Sequence, residues 1–158
     1  METTTPVVIF AYNRAGLTRR VLEAMAAQTV RPSRVLVYAD APARPEDAAS
    51  VADVRALLRQ FKDLPLEVTE RAHNLGSAAN IVEGLTEVLA RYPRAIIVED
   101  DVLPSRVFSE AMLRLLDHYA DQPRVYSVGG YPILHPGEPR NYAYDVIMNP
   151  RFACWGWA

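Results

Sequence analysis

An α/β fold with a mostly parallel central sheet is predicted from three observations. Short apolar runs alternate along the chain with longer segments whose apolar residues recur at helical spacing, and these two patterns indicate buried strands and amphipathic helices. Polar side chains follow the apolar runs directly. Alternating strands and helices are typical of a doubly wound sheet with right-handed crossovers. We therefore expect a three-layer sandwich with helices on both faces of the sheet.

Each element can be placed by its own pattern. Asn74-Leu75-Gly76-Ser77 is expected to supply a turn and a cap for the third helix, and Pro104-Ser105 the start of the fourth. Beyond Gly129-Gly130 the pattern loosens, with short possible strands around Tyr142 to Met148. Five strands are predicted at residues 6–11, 34–39, 66–69, 96–98 and 125–128, and four helices with apolar stripes over residues 17–25, 51–61, 78–92 and 108–119.

The composition indicates one globular domain over residues 1–158. A chain of 158 residues with 50% hydrophobic and 23% charged residues can bury roughly 68–70% of its unfolded surface. Its formal charge is -2 and its arginines are scattered, so nucleic acid is not an expected partner. The longest apolar runs, such as Val7 to Ala11, are far shorter than the roughly 18 residues of a membrane span. We expect no transmembrane segment and no signal peptide, and hence a cytoplasmic protein.

Three adjacent carboxylates, Glu99-Asp100-Asp101, end the apolar run Ile96-Ile97-Val98. Ligands of parallel sheets bind just beyond the carboxyl ends of the strands, and adjacent acids there repel one another unless a cation neutralises them. A hard cation, Mg²⁺ or Mn²⁺, is held by one or two carboxylates while substrate phosphates complete its shell. The triplet therefore predicts metal-assisted phosphate chemistry, whereas a solvated acidic loop is the simpler alternative.

Polar residues also follow the other predicted strands. Tyr12-Asn13-Arg14 follows the first strand, Asp40 the second, and a segment from Arg71 to Asn80 the third. Taken alone, Asn13 could be no more than a helix cap, and Asp40 could be no more than part of a turn. In a parallel sheet all of these clusters would lie at one edge, which favours a common binding site.

Other metal and phosphate systems do not fit the sequence. A nucleotide-binding P-loop is absent, because its pattern needs a lysine directly after a glycine and no lysine of this chain has a glycine immediately before it. The three histidines, at positions 73, 118 and 135, share no metal-ligand spacing, although His73 adjoins Asn74 and could touch a ligand. Cys154 is the single cysteine, so no intrachain disulfide can form, and a small buried hydrophobic role is expected for it.

With these residues in place, the chain resembles GT-A fold glycosyltransferases, especially the N-acetylglucosaminyltransferase I-like group and the neighbouring family 2 enzymes. The resemblance rests on Pro6 to Arg14, on Tyr38-Ala39-Asp40, and on Glu99-Asp100-Asp101-Val102 with Pro104 and Phe108, which is similar to a variant DxD motif. Tyr126 to Gly129 and Trp155-Gly156-Trp157 resemble later segments of the same group. It implies a nucleotide-diphospho-sugar transferase with the GT-A (Rossmann-like) fold, acting on a UDP-sugar donor and a glycan or other hydroxyl acceptor.

The resemblance also implies roles for individual residues. Asp101 would ligate Mn²⁺ or Mg²⁺ directly, with Asp100 as a second candidate ligand, while Glu99 and Asp100 would meet the ribose or the waters of the metal. Asp40 would accept a hydrogen bond from the uracil N3–H. The remaining nucleotide contacts would come from the first-strand loop and from a helix start that favours an anion, namely from Ala11, Tyr12, Asn13, Arg14, Asn74, Gly76, Ser77 and Asn80.

The chain departs from the family pattern at its C-terminus. There the resemblance implies an acceptor-binding part and a general base after the segment similar to Trp155-Gly156-Trp157, and neither Glu138 nor Asp145 matches the position of that base. Residues 1–158 are thus expected to form a single donor-binding domain that is C-terminally incomplete, with a catalytic base unidentified. A non-catalytic nucleotide-sugar-binding module is the alternative, and a nucleotidyltransferase is a weaker one. Exposed tryptophans at 155 and 157 would favour self-association.

Overall fold

The central sheet consists of four parallel strands. In the computed structural model, which describes residues 5–131, 146–148 and 152–158, these are β1 (Val7–Ala11), β2 (Val35–Ala39), β3 (Leu66–Glu70) and β4 (Ile96–Glu99). Their spatial order is β3-β2-β1-β4, and every neighbouring pair is parallel. The predicted α/β class and the first four predicted strands are confirmed.

Helices connect successive strands and cover both faces of the sheet. They are α1 (Ala15–Ala26), α2 (Ala48–Gln60), α3 (Gly76–Leu89) and α4 (Phe108–His118), and a 3₁₀ turn at Pro45–Asp47 leads into α2. Alternate strand residues point to opposite faces, so each face has its own core. Val7, Ile9 and their counterparts on β2 and β4 pack with α1, α2 and α4, whereas Val8 and Phe10 pack with α3. The three layers follow directly from this alternation.

Gly84 allows α3 to approach the sheet closely. A Cβ atom at this position would lie 2.7 Å from Cε1 of Phe10 and 3.1 Å from Cδ2 of Tyr38. The two rings are stacked with centroids 5.6 Å apart, and both are buried. The rings therefore have little room to move away, so a larger residue at position 84 would push the helix from the sheet.

We expect Gly84→Ala to lower the free energy of unfolding by about 1–2 kcal/mol, because overpacking costs about 1–3 kcal/mol and outweighs the helix propensity that alanine gains. The melting temperature should fall by roughly 2–6 °C. Gly16→Ala is the matched control, since nothing lies within 4 Å of a Cβ there and alanine should leave α1 as stable or more stable. Equal melting temperatures for Gly84→Ala and Gly16→Ala would contradict the close approach.

The predicted fifth strand, Val125–Val128, is wrong. Instead the last residues of the chain run antiparallel between β4 and this segment, with bridges from Trp157 to both Ile97 and Gly129. Val128 and Ala158 exchange two backbone hydrogen bonds, of 2.8 and 2.9 Å. The C-terminal residues thus take the place of the parallel neighbour that the pattern implied. Tyr142 to Asp145 lie outside the described residues, and Val146–Met148 form no strand.

The predicted start of α4 at Pro104-Ser105 is also wrong. Helical residues begin at Phe108, and no side chain of the preceding residues caps them. The Oε1 atom of buried Gln28 instead accepts the Ser109 N–H at 2.8 Å, while its Nε2 donates to the Ser105 carbonyl at 2.7 Å. The cap is therefore supplied from the loop after α1.

Among the described residues, no helix has the length and apolar character needed to span a membrane.

Candidate functional site

The carboxyl ends of β1 and β4 define the crevice of the sheet. The chain runs from β1 outward through β2 to β3 and then returns to place β4 on the other side of β1. Such a reversal of strand order opens a crevice beyond the strand ends, where open α/β sheets bind ligands. Tyr12 follows β1 and Asp100 follows β4, so the two predicted clusters meet at this position.

A cavity of about 410 Å³ occupies the crevice, a volume in the usual range for small-molecule sites. The eleven residues predicted to contact a nucleotide all line it. Three further lining residues, Phe10, Ala43 and Ile81, were not predicted. Ile81 lies four residues after Ser77, on the same helix face, so helical spacing could have identified it. Phe10 lies in the first predicted strand, and no sequence motif includes Ala43.

Arg14 bridges two of the three adjacent acids at one end of the cavity. Its Nη2 atom lies 2.5 Å from Oδ1 of Asp100, and its Nη1 atom lies 2.8 Å from Oδ2 of Asp101. The guanidinium presents its donors as a fork that suits two carboxylate oxygens at once. Partial burial lowers the pKa of Arg14, but the two carboxylates outweigh it and the net shift is upward. The repulsion within the acidic triplet is thus offset by a cation from the β1 loop.

Asp100 is committed to the protein interior. Its side chain is only 4% exposed, and its second oxygen accepts the Tyr12 N–H at 3.3 Å. Burial raises the pKa of Asp100, while Arg14 and the Tyr12 amide offset part of that rise. Both oxygens therefore have partners within this chain, and Asp100 joins the ends of β1 and β4.

Asp101 is the accessible acid of the pair, with its side chain 39% exposed. One of its oxygens accepts from Arg14, and carboxylate oxygens are the ligands that a hard divalent cation takes, so Asp101 is the acid of the pair that could hold such an ion. Within the described residues, no group of three or more His, Cys, Asp or Glu side chains could enclose an ion. Asp101 is therefore a single accessible carboxylate next to the cavity, and it is not one of the residues that line it.

Asp40 lies at the other end of the cavity and is 3% exposed. Its Oδ1 accepts the N–H groups of Ala41 at 2.9 Å and Leu75 at 3.0 Å, and its Oδ2 accepts the Gly76 N–H at 2.9 Å and the Asn74 Nδ2 at 3.1 Å. The predicted cap of α3 is corrected by these contacts: neither Asn74 nor Ser77 caps the helix with its side chain, and the capping carboxylate comes from the end of β2.

Tyr12 orders the loop that follows β2. Its hydroxyl donates to Oδ2 of Asp47 at 2.9 Å and accepts the Ala43 N–H at 3.0 Å. The Ala43 bond lowers the pKa of Tyr12, but partial burial and the Asp47 carboxylate outweigh it, so that the net shift is upward. Asp47 was not identified from the sequence, because its partner is 35 residues away. The neutral phenol of Tyr12 therefore holds Ala43, a residue that lines the cavity, in place.

Asn80 is buried, with its side chain bonded inside the protein. Its Oδ1 accepts from Nε of Arg71 at 3.1 Å, and its Nδ2 donates to the Tyr38 carbonyl at 3.4 Å. Asn13 does not cap α1 either, since the N-cap residue of that helix is Arg14 and no side chain caps it. His73 is exposed and does not line the cavity.

The C-terminal segment reaches the acidic end of the site. Burial raises the pKa of the Cys154 thiol, and a hydrogen bond with Glu99 raises it further, which opposes thiolate formation. Cys154 is nevertheless exposed, so the expectation of a buried cysteine is wrong. Trp155 is 52% exposed and packs edge-on against Tyr131, while Trp157 packs against the α3 side of the sheet. Only one of the two tryptophans is therefore well exposed.

Two solved structures illustrate the fold that this chain shares. The mannosyltransferase PcManGT from Pyrobaculum calidifontis, in complex with GDP-Man and Mn²⁺, has a TM-score of 0.60 at 22% identity, covering 82% of this chain and 35% of that one. S. aureus TarS 1-349 in complex with UDP-GlcNAc has a TM-score of 0.53 at 17% identity, covering 75% and 32%. The chain thus spans about a third of the length of these proteins. Curated proteins give no match to it.

The family is shown by the sequence itself. The Glycosyl transferase family 2 pattern matches residues 7–150, which include all four strands of the sheet and the polar clusters that follow them. This match confirms the family 2 part of the predicted resemblance, whereas the narrower N-acetylglucosaminyltransferase I-like assignment is not confirmed. The chain belongs to glycosyl transferase family 2.

Proposed function

We propose that this chain is the donor-binding part of a metal-dependent glycosyltransferase that takes a UDP-sugar and transfers the sugar to a hydroxyl acceptor. The observation that carries the proposal is the pairing of Arg14 with Asp100 and Asp101. Arg14 and Asp100 line one end of the cavity between β1 and β4, and Asp101 lies next to them, outside the lining. The structural neighbours in complex with GDP-Man and Mn²⁺ or with UDP-GlcNAc support the class of donor.

The proposed orientation of the donor follows from the charges at the two ends of the cavity. The diphosphate belongs at the Arg14 and Asp101 end, where a guanidinium and a metal ion would neutralise it, and the nucleoside extends toward Asp40 and Asn74. Asp101 would ligate the ion because it is the accessible acid, while Asp100 keeps Arg14 in place. A bound divalent ion supplies Lewis-acid stabilisation of the negative charge on the leaving nucleoside diphosphate.

The remaining predicted residues would shape the pocket around the donor. Tyr12 and Asn13 would form the wall next to the nucleoside, Ser77 would face it from the first turn of α3, and Glu99 would lie near the ribose. The acceptor hydroxyl needs a general base within hydrogen-bond reach. The two candidates weighed from the sequence, Glu138 and Asp145, lie outside the described residues.

Calorimetric titration of UDP into the protein, with and without Mn²⁺, tests the proposal. We expect saturable binding in Mn²⁺ that weakens at least about tenfold when EDTA removes the ion, because the metal shares its shell with the phosphates. GDP should be titrated in parallel, since one neighbour holds a guanosine diphosphate sugar. Absence of metal-dependent binding of either nucleotide would overturn the proposal, and a UDP-sugar transfer assay separates an enzyme from a binding module.

A further inference from the structure

Arg14 already holds the acid that the proposed metal ion needs. Its Nη1 atom donates to Oδ2 of Asp101 at 2.8 Å, so the accessible carboxylate has a cationic partner within the chain. The guanidinium keeps its positive charge at any ordinary pH. A divalent ion that approaches Asp101 therefore meets a like charge next to its ligand.

The two ion pairs of Arg14 differ in how easily they can be exchanged. The Asp100 side chain is 4% exposed, whereas that of Asp101 is 39% exposed. A buried charge that loses its partner is strongly destabilising, whereas an exposed ion pair contributes little to stability. Asp100 is also fixed by the Tyr12 N–H. Arg14 can thus give up Asp101 at low cost while its bond to Asp100 persists.

The backbone of Arg14 is fixed, and its side chain reaches the cavity. The Arg14 carbonyl accepts the N–H of Thr18 at 2.9 Å and its hydroxyl at 3.0 Å, and Thr18 is fully buried. Arg14 itself lines the cavity, and its side chain is 45% exposed. The fork of donors that suits a carboxylate also suits phosphate oxygens, so a diphosphate in the cavity would offer Arg14 a replacement for Asp101.

We propose that Arg14 and the divalent ion compete for Asp101, and that the diphosphate of the donor ends this competition by drawing Arg14 away from that acid. The ion and the nucleotide then bind cooperatively, because each removes an obstacle to the other. Arg14 turns on its bond to Asp100, which keeps the guanidinium at the mouth of the site throughout. This inference rests on the proposed function, since it concerns the ion and the diphosphate that are assigned there.

The first test is the affinity of the protein for Mn²⁺ without nucleotide, measured from the electron paramagnetic resonance signal of the free ion. We expect Arg14→Gln to bind Mn²⁺ at least about fivefold more tightly than the wild type, because glutamine removes the competing charge and couplings between two ligands are about 5–150-fold. Arg14→Lys keeps a positive charge and should stay within about threefold of the wild type. Arg20→Gln, at an exposed position of α1, is the matched control and should equal the wild type.

The double variant Arg14→Gln with Asp101→Asn shows where the ion binds. We expect it to lose the gain in Mn²⁺ affinity, because the acid for which the two cations compete is gone. A gain that survives in the double variant would overturn the inference, as would Mn²⁺ binding in Arg14→Gln that is no tighter than in the wild type. If Arg14→Gln does not fold, the NMR signals of the Arg14 guanidinium in the wild type decide it. They should shift when Mg²⁺ and UDP are added together, and unchanged signals would refute the exchange.

The second test measures the cooperativity directly. In the wild type, UDP should strengthen Mn²⁺ binding by the same factor by which Mn²⁺ strengthens UDP binding, since coupling between two ligands is reciprocal. In Arg14→Gln that factor should be at least about fivefold smaller, because the ion no longer competes with a cation of the chain. An equal factor in both proteins would show that Arg14 does not couple the two ligands.

Failure of the proposed function is distinguishable from failure of this inference. A wild-type protein that does not bind UDP in Mn²⁺ refutes donor binding, yet tighter Mn²⁺ binding in Arg14→Gln that depends on Asp101 would still support the competition. Conversely, normal metal-dependent UDP binding with no gain in Mn²⁺ affinity in Arg14→Gln refutes the competition alone.

Discussion

Asp101→Asn is expected to abolish the metal-dependent part of UDP binding and to lower sugar transfer by about 10²–10³-fold, the usual effect of removing one group that stabilises transition-state charge. Asp101 is the accessible acid beside the cavity, and Asp100 is already bonded to Arg14 and to the Tyr12 amide. Asparagine preserves the size of the side chain but replaces one anionic oxygen with an amide group, which is a poor partner for a hard cation.

The stability of Asp101→Asn should change little, because an exposed ion pair contributes about 0–1 kcal/mol and Arg14 keeps its bond to Asp100. Titration of UDP with and without Mn²⁺, together with thermal unfolding, measures both effects. Asp53→Asn, at an exposed position of α2, serves as the matched carboxylate control. Metal-dependent binding that survives in Asp101→Asn at wild-type strength would show that this acid is not the ligand.

Arg14→Gln is expected to lower the free energy of unfolding by about 1–2 kcal/mol at pH 7, because it leaves the buried Asp100 carboxylate without its cation. Removing one partner of a fully buried pair costs about 3–5 kcal/mol, and the smaller value applies because the Arg14 side chain is 45% exposed. The melting temperature should fall by roughly 2–8 °C. Arg20→Gln, at an exposed position of α1, is the control.

The loss in Arg14→Gln should depend on pH in a defined direction. Burial raises the pKa of Asp100 and Arg14 opposes that rise, so the variant should have a still higher pKa in the folded state. Between the unfolded value, about 3.9, and this raised value the folded protein binds more protons, so the free energy of unfolding falls as pH rises. The difference from wild type should be larger at pH 7 than at pH 4. An equal difference at both pH values would contradict this account.

Neighbouring residues in the chain were sufficient to predict most of the secondary structure. The four strands Val7–Ala11, Val35–Ala39, Leu66–Glu70 and Ile96–Glu99 are short apolar or alternating runs, and the amphipathic helices repeat at their own period. Both patterns are local. Since parallel strands end at one edge of a sheet, the same local information predicted that the polar clusters around Asn13 and Asp100 would meet.

The fifth strand and the helix caps could not be predicted in this way, because their partners are distant in the chain. Val128 pairs with Ala158, Ser109 receives its cap from Gln28, 81 residues away, and Asp40 caps α3 across 35 and 36 residues. Local preferences for capping residues such as Ser105 describe only one of several ways to satisfy the same N–H groups.

The sequence by itself therefore determined the α/β class, the order of β1–β4 and α1–α4, and eleven of the residues that line the cavity, because burial patterns and strand ends are properties of consecutive residues. Only the tertiary structure decided how those residues divide their tasks. Asp100 became the anchor for Arg14, Asp101 the accessible acid and Asp40 the cap of α3, because the folded chain decides which donors reach each carboxylate and how deeply it is buried.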